Sequence, residues 1–586
     1  MRCHGWQSAA LIAFALAIVP PVAWGQAADA PRSAFVPAPQ AEFFGEPERL
    51  PAPSADDGGS GTPAPAGLAD LRRRLETTEA ELAELRAAQA SSLGPRQFPA
   101  PLPRPEQIAS PASGTSQLGV EDRIASLLPL AAAGQPFPLV RLSGFFQLDS
   151  GFFGQDAASH DVLGNVQNGT GFRRSRLQAL GKLTEFTNFS LEMDFSFAGR
   201  PSFMDVWGEQ MNLPLGNVRI GQYRLPVTMD SWTSERHLEF LERSAPFNAL
   251  DPFRRVGIMD WYVSESGRTL MAASVFGTDW TFTDPNGTTQ YNTLGIDNRY
   301  GTSIGNVGGV GVATRLTHLL YYDEPSGGRY LLHVGGGYTF AEIGGNGILG
   351  NGPGTAGSST FRASTIPEFF VGDPAAGGAT SAGTPNVLDT GRFLASNYSL
   401  YHLELAGNAG SFHWQGEVLG TAVNQVNGPI VYYGGAYAQC GWFLTGESAG
   451  YNKQTGALDY NCRPFSELVG GGWGRPMCGW GAWEIAARWS YLDLQTDRVT
   501  AANYTGAGTT LPALAPTVNP PSLLGNGPSA NANPNPGVLN ESTVALNWYW
   551  NQYTRVQFNW IHSMLASQYR PYSVLDIWAV RFQVEF

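Results

Sequence analysis

Seven arginines carry the clearest chemical potential in this chain: Arg174, Arg176, Arg219, Arg236, Arg243, Arg254 and Arg255. A guanidinium is planar, permanently charged and presents several fixed N–H donors, so it can replace an anion's lost hydration with paired hydrogen bonds. That chemistry holds anions and does not transform them. The segment Ser234 to Ser244 has helical character, and in a helix Arg236 and Arg243 lie two turns apart on one side. Glu235, Glu239 and Glu242 stand among them, so a segment that neutralises its own arginines is the competing reading. No catalytic constellation accompanies these residues. The histidines lack metal-ligand spacing, and His402 and His413 fall on a hairpin with no acid–base partner in sequence, which suits structural or lining roles. The glycines form no phosphate-cradling motif. The expectation is therefore a non-enzyme with neither metal nor cofactor.

The elements that must position these arginines are strands. Over Tyr572 to Phe586, Trp578, Val580, Phe582, Val584 and Phe586 alternate with Ala579, Arg581, Gln583 and Glu585, which gives one apolar and one wet face. Aromatics at both ends of the apolar face and a terminal Phe suit the closing strand of a transmembrane β-barrel. The same alternation predicts strands at 139–152, 172–184, 187–198, 203–211, 216–224, 255–263, 269–277, 308–319, 329–340, 397–406, 411–420, 434–445, 482–494, 541–550, 554–563 and 574–586. The fold class is thus all-β, a sixteen-stranded antiparallel barrel. Short turns, such as Leu213 to Gly216, Ser264 to Gly267 and Asp323 to Gly328, alternate with long loops at the other end. Phe361 to Val371 also reads as extended, but an extra strand breaks the even count, so it is assigned to a long extracellular loop. Parity puts Gly446 to Gly481 at the short-turn, periplasmic end, where such a length suggests an insert that folds into the barrel or caps it. Alternation turns Arg174, Arg176 and Arg219 inward. Arg236, Arg243, Arg254 and Arg255 join them only if the loop between the fifth and sixth strands folds inward.

Composition agrees with this class: 71 glycines, only 15% charged residues and 12% aromatics are unlike a soluble α/β enzyme. A formal charge of −13 argues against a nucleic-acid partner, and all but two of the 36 basic residues, Lys182 and Lys453, are arginine. Residues 1–25 read as a secretory signal, with Arg2 ahead of an apolar run too short to span a membrane. Residues 26–67 form a Pro/Ala-rich linker, and 91–138 a Pro-rich spacer. Between them, 68–90 place Leu68, Leu71, Leu75, Leu82 and Leu85 at coiled-coil spacing. The barrel occupies 139–586. In the oxidising compartment that the signal implies, Cys462 and Cys478 are candidates for a disulfide, whereas Cys440, beside Trp442 and Leu444 on the lipid-facing side, is expected to be free.

Several segments resemble the phosphate-selective porin O and P family: Phe172-Arg173-Arg174-Ser175-Arg176-Leu177, Val218-Arg219-Ile220-Gly221-Gln222-Tyr223, Glu242-Arg243-Ser244, Phe443-Leu444-Thr445-Gly446-Glu447 and Trp483-Glu484-Ile485-Ala486-Ala487-Arg488. Ser326-Gly327-Gly328-Arg329-Tyr330 and Leu546-Asn547-Trp548-Tyr549 do likewise, in an order that spans about Leu139 to Phe586. The resemblance implies a homotrimer in the outer membrane of a Gram-negative-type envelope, passing small hydrophilic or anionic solutes such as phosphate through pores narrowed by inward-folded loops. It also implies an N-terminal coiled coil, here a candidate for periplasmic envelope contact. The chain departs from the family's lysine-rich character. A structural, envelope-tethering barrel is the alternative.

Overall fold

The computed structural model describes residues 136–586 except 197–201, 279–280, 284–288, 292–308, 344–359, 372–383, 392, 427, 469–478, 497, 500–534 and 568–569. The expected signal, linker, coiled coil and most of the Pro-rich spacer lie outside the described residues, as does Cys478.

Sixteen antiparallel strands form one closed sheet: β1 Leu139–Gln155, β2 Gly169–Lys182, β3 Thr187–Asp194, β4 Ser202–Leu213, β5 Gly216–Arg224, β6 Arg254–Val263, β7 Thr269–Gly277, β8 Val310–Tyr322, β9 Tyr330–Glu342, β10 Phe393–Ala409, β11 Phe412–Gln425, β12 Val431–Phe443, β13 Ala482–Asp493, β14 Val538–Asn551, β15 Thr554–Ser567 and β16 Arg570–Glu585. Each pairs with the next, and β1 pairs with β16 from Phe145↔Glu585 to Gln155↔Leu575, which closes the barrel. Every predicted strand is present, and among the described residues closure leaves no unpaired edge in the barrel sheet.

The burial pattern is inverted relative to a soluble protein. Leu142, Ile220, Leu320, Leu403 and Trp442 point outward and are exposed, while Gln147, Glu192, Arg315, Glu404, Asn547 and Arg581 point inward and are buried. Outward apolar and inward polar residues on a closed barrel fit hydrocarbon outside and a hydrated interior. Exposed aromatics gather at the short-turn end from β9 to β13, where Tyr330, Phe412, Trp442 and Trp480 sit, as Trp and Tyr do at a membrane interface. Trp483 and Trp548 stack there at 4.9 Å.

Among the described residues, three connections turn into the barrel. The first, between β5 and β6, carries α2 (Met229–Trp232), a 3-10 turn (Glu235–His237) and α3 (Ala245–Leu250); α1 (Ala157–Leu163) lies earlier, between β1 and β2. The second, between β9 and β10, buries Phe361, Ile366, Glu368 and Phe369. As predicted, the stretch adds no membrane-spanning strand: only Thr360–Phe361 pairs with the start of β10, and the rest packs inward, with Ser364–Thr365 paired to Leu388–Asp389 and the Glu368 backbone N–H donating to Glu541 on β14 at 2.8 Å. The third connection, between β12 and β13, forms a hairpin (Gly450–Asn452 with Ala457–Asp459) that enters from the short-turn end, where Arg315 of β8 donates to the Thr455 and Gly456 carbonyls at 2.7 Å each. The suggested inward-folding insert is thus observed.

Candidate functional site: the arginine-lined barrel interior

The loop between β5 and β6 is held by side chains of the wall. Glu417 on β11 accepts the Met229 and Asp230 backbone N–H groups at 3.0 and 2.8 Å, capping α2. Arg555 and Gln557 on β15 donate to the Leu238 carbonyl at 3.1 and 3.3 Å. Asn547 donates to the Glu239 carbonyl at 2.8 Å and Arg488 to the Glu242 carbonyl at 3.0 Å. Arg581 donates to the Leu241 carbonyl and Gln583 to the Arg236 carbonyl. This corrects the helical reading of Ser234 to Ser244. Only Glu235–His237 is helical there, because wall side chains satisfy the carbonyls that i→i+4 bonds would otherwise use.

Loop and wall bring six of the seven named arginines into one acid-laced interior. Arg174 donates to Glu242 at 2.8 Å, and Arg176 to Asp194 at 2.8 Å with Glu235 at 3.5 Å. Arg254 bonds Asp205 at 3.1 Å and Glu235 at 3.0 Å. Arg219 pairs with Glu209 at 2.7 Å and lies 3.9 Å above the Trp207 ring. Arg236 donates to Ser143 and the Gly144 carbonyl at 3.0 and 3.2 Å beside the Phe145 ring. Arg243 donates to the Asp230 carbonyl at 2.8 Å and lies 3.6 Å from Glu235. Arg255, the seventh, is buried at the start of β6 and donates to the Arg254 carbonyl at 3.4 Å.

Of the three loop glutamates, Glu235 and Glu242 are neutralised by arginines. Burial works to raise their carboxyls, but the guanidiniums of Arg224, Arg254, Arg243 and Arg176 around Glu235, and of Arg173, Arg174 and Arg581 around Glu242, hold both well below the usual carboxylate range. Glu239 instead meets His413 at 2.8 Å. That partner corrects the sequence reading of His413 as lacking one: it comes from 174 residues away, across the barrel interior. Asp251 differs again, since burial pushes its carboxyl up to about 7 against the pull of the Thr228 hydroxyl and Phe253 N–H.

Alternation missed Arg173, which should face outward. The β1–β2 register shifts between Gln147 and Leu148, leaving Arg173 as an extra residue, and its side chain reaches Glu242 at 2.8 Å. Arg581 lay on the predicted wet face and proves to bridge Asp149 and Glu242 at 2.7 and 2.9 Å. A cavity of about 40 Å³ remains between loop and wall, lined by Arg173, Arg174, Arg176, Arg243 and Arg254 with Asp194, Glu235, Glu242 and Asp251. A second, of about 90 Å³, lies among Arg219, Arg224, Arg236, Glu192, Asp205, Glu235 and Asp459.

The family model described as "Phosphate-selective porin O and P" matches residues 144–314 and 375–586. The chain belongs to the phosphate-selective porin O and P family. It is an outer-membrane porin, and its barrel is the membrane-spanning part. A Caulobacter vibrioides protein described only as uncharacterised is 23% identical over 448 residues, covering 74% of this chain and 78% of that protein. Among solved structures, the chain is similar to OmpT of Vibrio cholerae in its trimer form, at 8% identity and a TM-score of 0.39, covering 76% of this chain and 99% of that one. It is also similar to OmpF of Salmonella typhi in complex with daunomycin, at 10% identity and a TM-score of 0.37, covering 76% and 97%.

Of the cysteines, Cys440 is an exposed thiol on the outer face of β12, as expected, and Cys462 is buried; the partner expected for it, Cys478, lies outside the described residues.

Proposed function

We propose that this porin is a diffusion channel for small hydrophilic solutes that favours anions, phosphate among them, at the constriction made by the β5–β6 loop. The observation that carries the reading is the charge count around the smaller cavity: five arginines face four carboxyls, one of which, Asp251, is partly neutral near pH 7. A channel responds to the potential along its narrow path, where screening is weak, so a chain of net charge −13 can still present an anion-favouring interior. Each guanidinium presents several fixed N–H donors, which a passing anion can share with the carboxylates already bound. Arg174, Arg176, Arg219, Arg236, Arg243, Arg254 and Arg255 are the proposed pore-lining set. The working assembly is a homotrimer in outer-membrane lipid, with the N-terminal extension on the periplasmic side.

The three inward-packed segments favour a second reading, a largely filled barrel whose N-terminal coiled coil tethers the envelope. Single-channel recording of the purified protein in planar bilayers separates the two. Discrete conductance steps support the channel, and a silent bilayer containing folded protein supports the tether.

A further inference from the structure

One cluster lies apart from the arginines and has no role in the constriction chemistry. His413 on β11 directs Nε2 at two carboxylates, Glu239 Oε1 on the inward loop at 2.8 Å and Glu484 Oε1 on β13 at 3.0 Å. All three side chains have no solvent exposure or almost none. A ring nitrogen carries at most one proton, and Glu484 Oε1 is left without a hydrogen-bond donor. The far oxygens are fixed from behind: Gln439 donates to Glu239 Oε2 at 2.6 Å, and Asn547 and Tyr549 each donate to Glu484 Oε2 at 2.8 Å. The near oxygens are thereby aimed at the same point as the imidazole, the arrangement in which outer hydrogen bonds orient metal ligands.

Gly441 on β12 keeps the space beside that point open. A Cβ there would fall 2.2 Å from Glu239 Oε1 and 2.3 Å from His413 Nε2. The three donor atoms lie within 4.8 Å of one another. Metal–ligand bonds of about 2.0–2.1 Å at tetrahedral angles require donors about 3.3 Å apart, a few tenths of an ångström wider than the two observed separations.

We propose that Glu239, His413 and Glu484 bind one divalent transition-metal ion of the zinc type, and that the ion fastens the inward-folded loop to the barrel wall. Two carboxylates and a neutral imidazole carry two negative charges, which a dication cancels in a site closed to water. One nitrogen and two oxygens suit zinc better than magnesium or calcium, which take oxygen ligands. On binding, the imidazolium that bridges the two carboxylates releases its Nε2 proton to solvent and keeps the one on Nδ1, so the ring ligates as neutral imidazole with no change of oxidation state.

The test uses the full-length protein, stripped with chelator in detergent, refolded with Zn(II) or Co(II) and desalted. One ion per chain by mass spectrometry is expected, with X-ray absorption of the zinc form showing one imidazole nitrogen and the rest oxygen. Glu484→Gln and Gly441→Ala should each weaken binding at least tenfold while keeping the gel mobility of folded barrel. If either variant fails to fold, the wild-type absorption spectrum still decides. Wild-type protein that retains no stoichiometric ion, or an ion bound through sulfur, overturns the proposal.

Discussion

Substituting Glu242 by Gln tests whether the arginine cluster lies on the permeation path. Glu242 accepts five hydrogen bonds: from Arg173 at 2.8 and 2.9 Å, Arg174 at 3.2 and 2.8 Å, and Arg581 at 2.9 Å. A glutamine amide replaces one acceptor oxygen with a donor, so whichever way it is turned at least two of these bonds become donor–donor contacts. Leaving buried arginines short of a counter-charge costs about 3–5 kcal/mol, which loosens the loop. The sixteen-stranded wall is closed independently of Glu242 and should keep its heat-modifiable gel mobility. The substitution also uncovers one positive charge. At about 6 Å from a permeating ion in water, that charge is worth about 0.7 kcal/mol, or about threefold more anion and threefold less cation. The chloride-to-potassium permeability ratio should therefore rise by up to about tenfold at low salt, and by about three- to fourfold near 0.1 M, where the Debye length is about 10 Å. Zero-current potentials across a KCl gradient read this ratio. An unchanged ratio in a folded variant would place the cluster off the ion path, and a lower ratio would reverse the assigned sign.

Other consequences are open to measurement. Replacing Arg236 and Arg243 together by Gln should shift the zero-current potential toward cation preference, because it removes two positive charges carried by the inward loop. Asp251 is protonated in the fold up to about 7, whereas its ordinary value is 3.8. Its contribution to stability is therefore full below about 3.8 and is lost as pH rises through about 7, where a new negative charge appears beside Arg243 and anion preference should fall; Asp251→Asn should flatten both trends between pH 5 and 8. Cys440 should react with a lipid-soluble maleimide in intact membranes, whereas Cys462 should react only after unfolding and reduction, as the expected bridge to Cys478 requires. Unboiled samples should run as heat-resistant trimers; light scattering that finds only monomers in mild detergent contradicts the proposed assembly.

The barrel was legible because a strand between lipid and an inward polar face must alternate, and each strand from Leu139 to Glu585 does so within its own few residues. The inward packing of the third connection was legible too, since an unusually long segment at the short-turn end needs somewhere to go. The interior of the site was not. Residues 234–244 have helix-compatible sequence, but their carbonyls are satisfied by Arg488, Asn547, Arg555, Gln557 and Arg581, residues far along the chain that no local pattern reveals. Arg173 was misplaced by a one-residue bulge, which reverses the facing that alternation predicts. The cluster at His413 draws its carboxylates from a loop and a separate strand, so sequence spacing could not announce it.

The anion-favouring constriction is tested most directly by the zero-current potential of wild-type protein in planar bilayers under a KCl gradient at neutral pH. The arginine excess around the β5–β6 loop predicts discrete conductance steps and a potential of the sign set by chloride. A potential set by potassium would contradict it and direct attention to the inward carboxylates Glu192, Asp194 and Glu585.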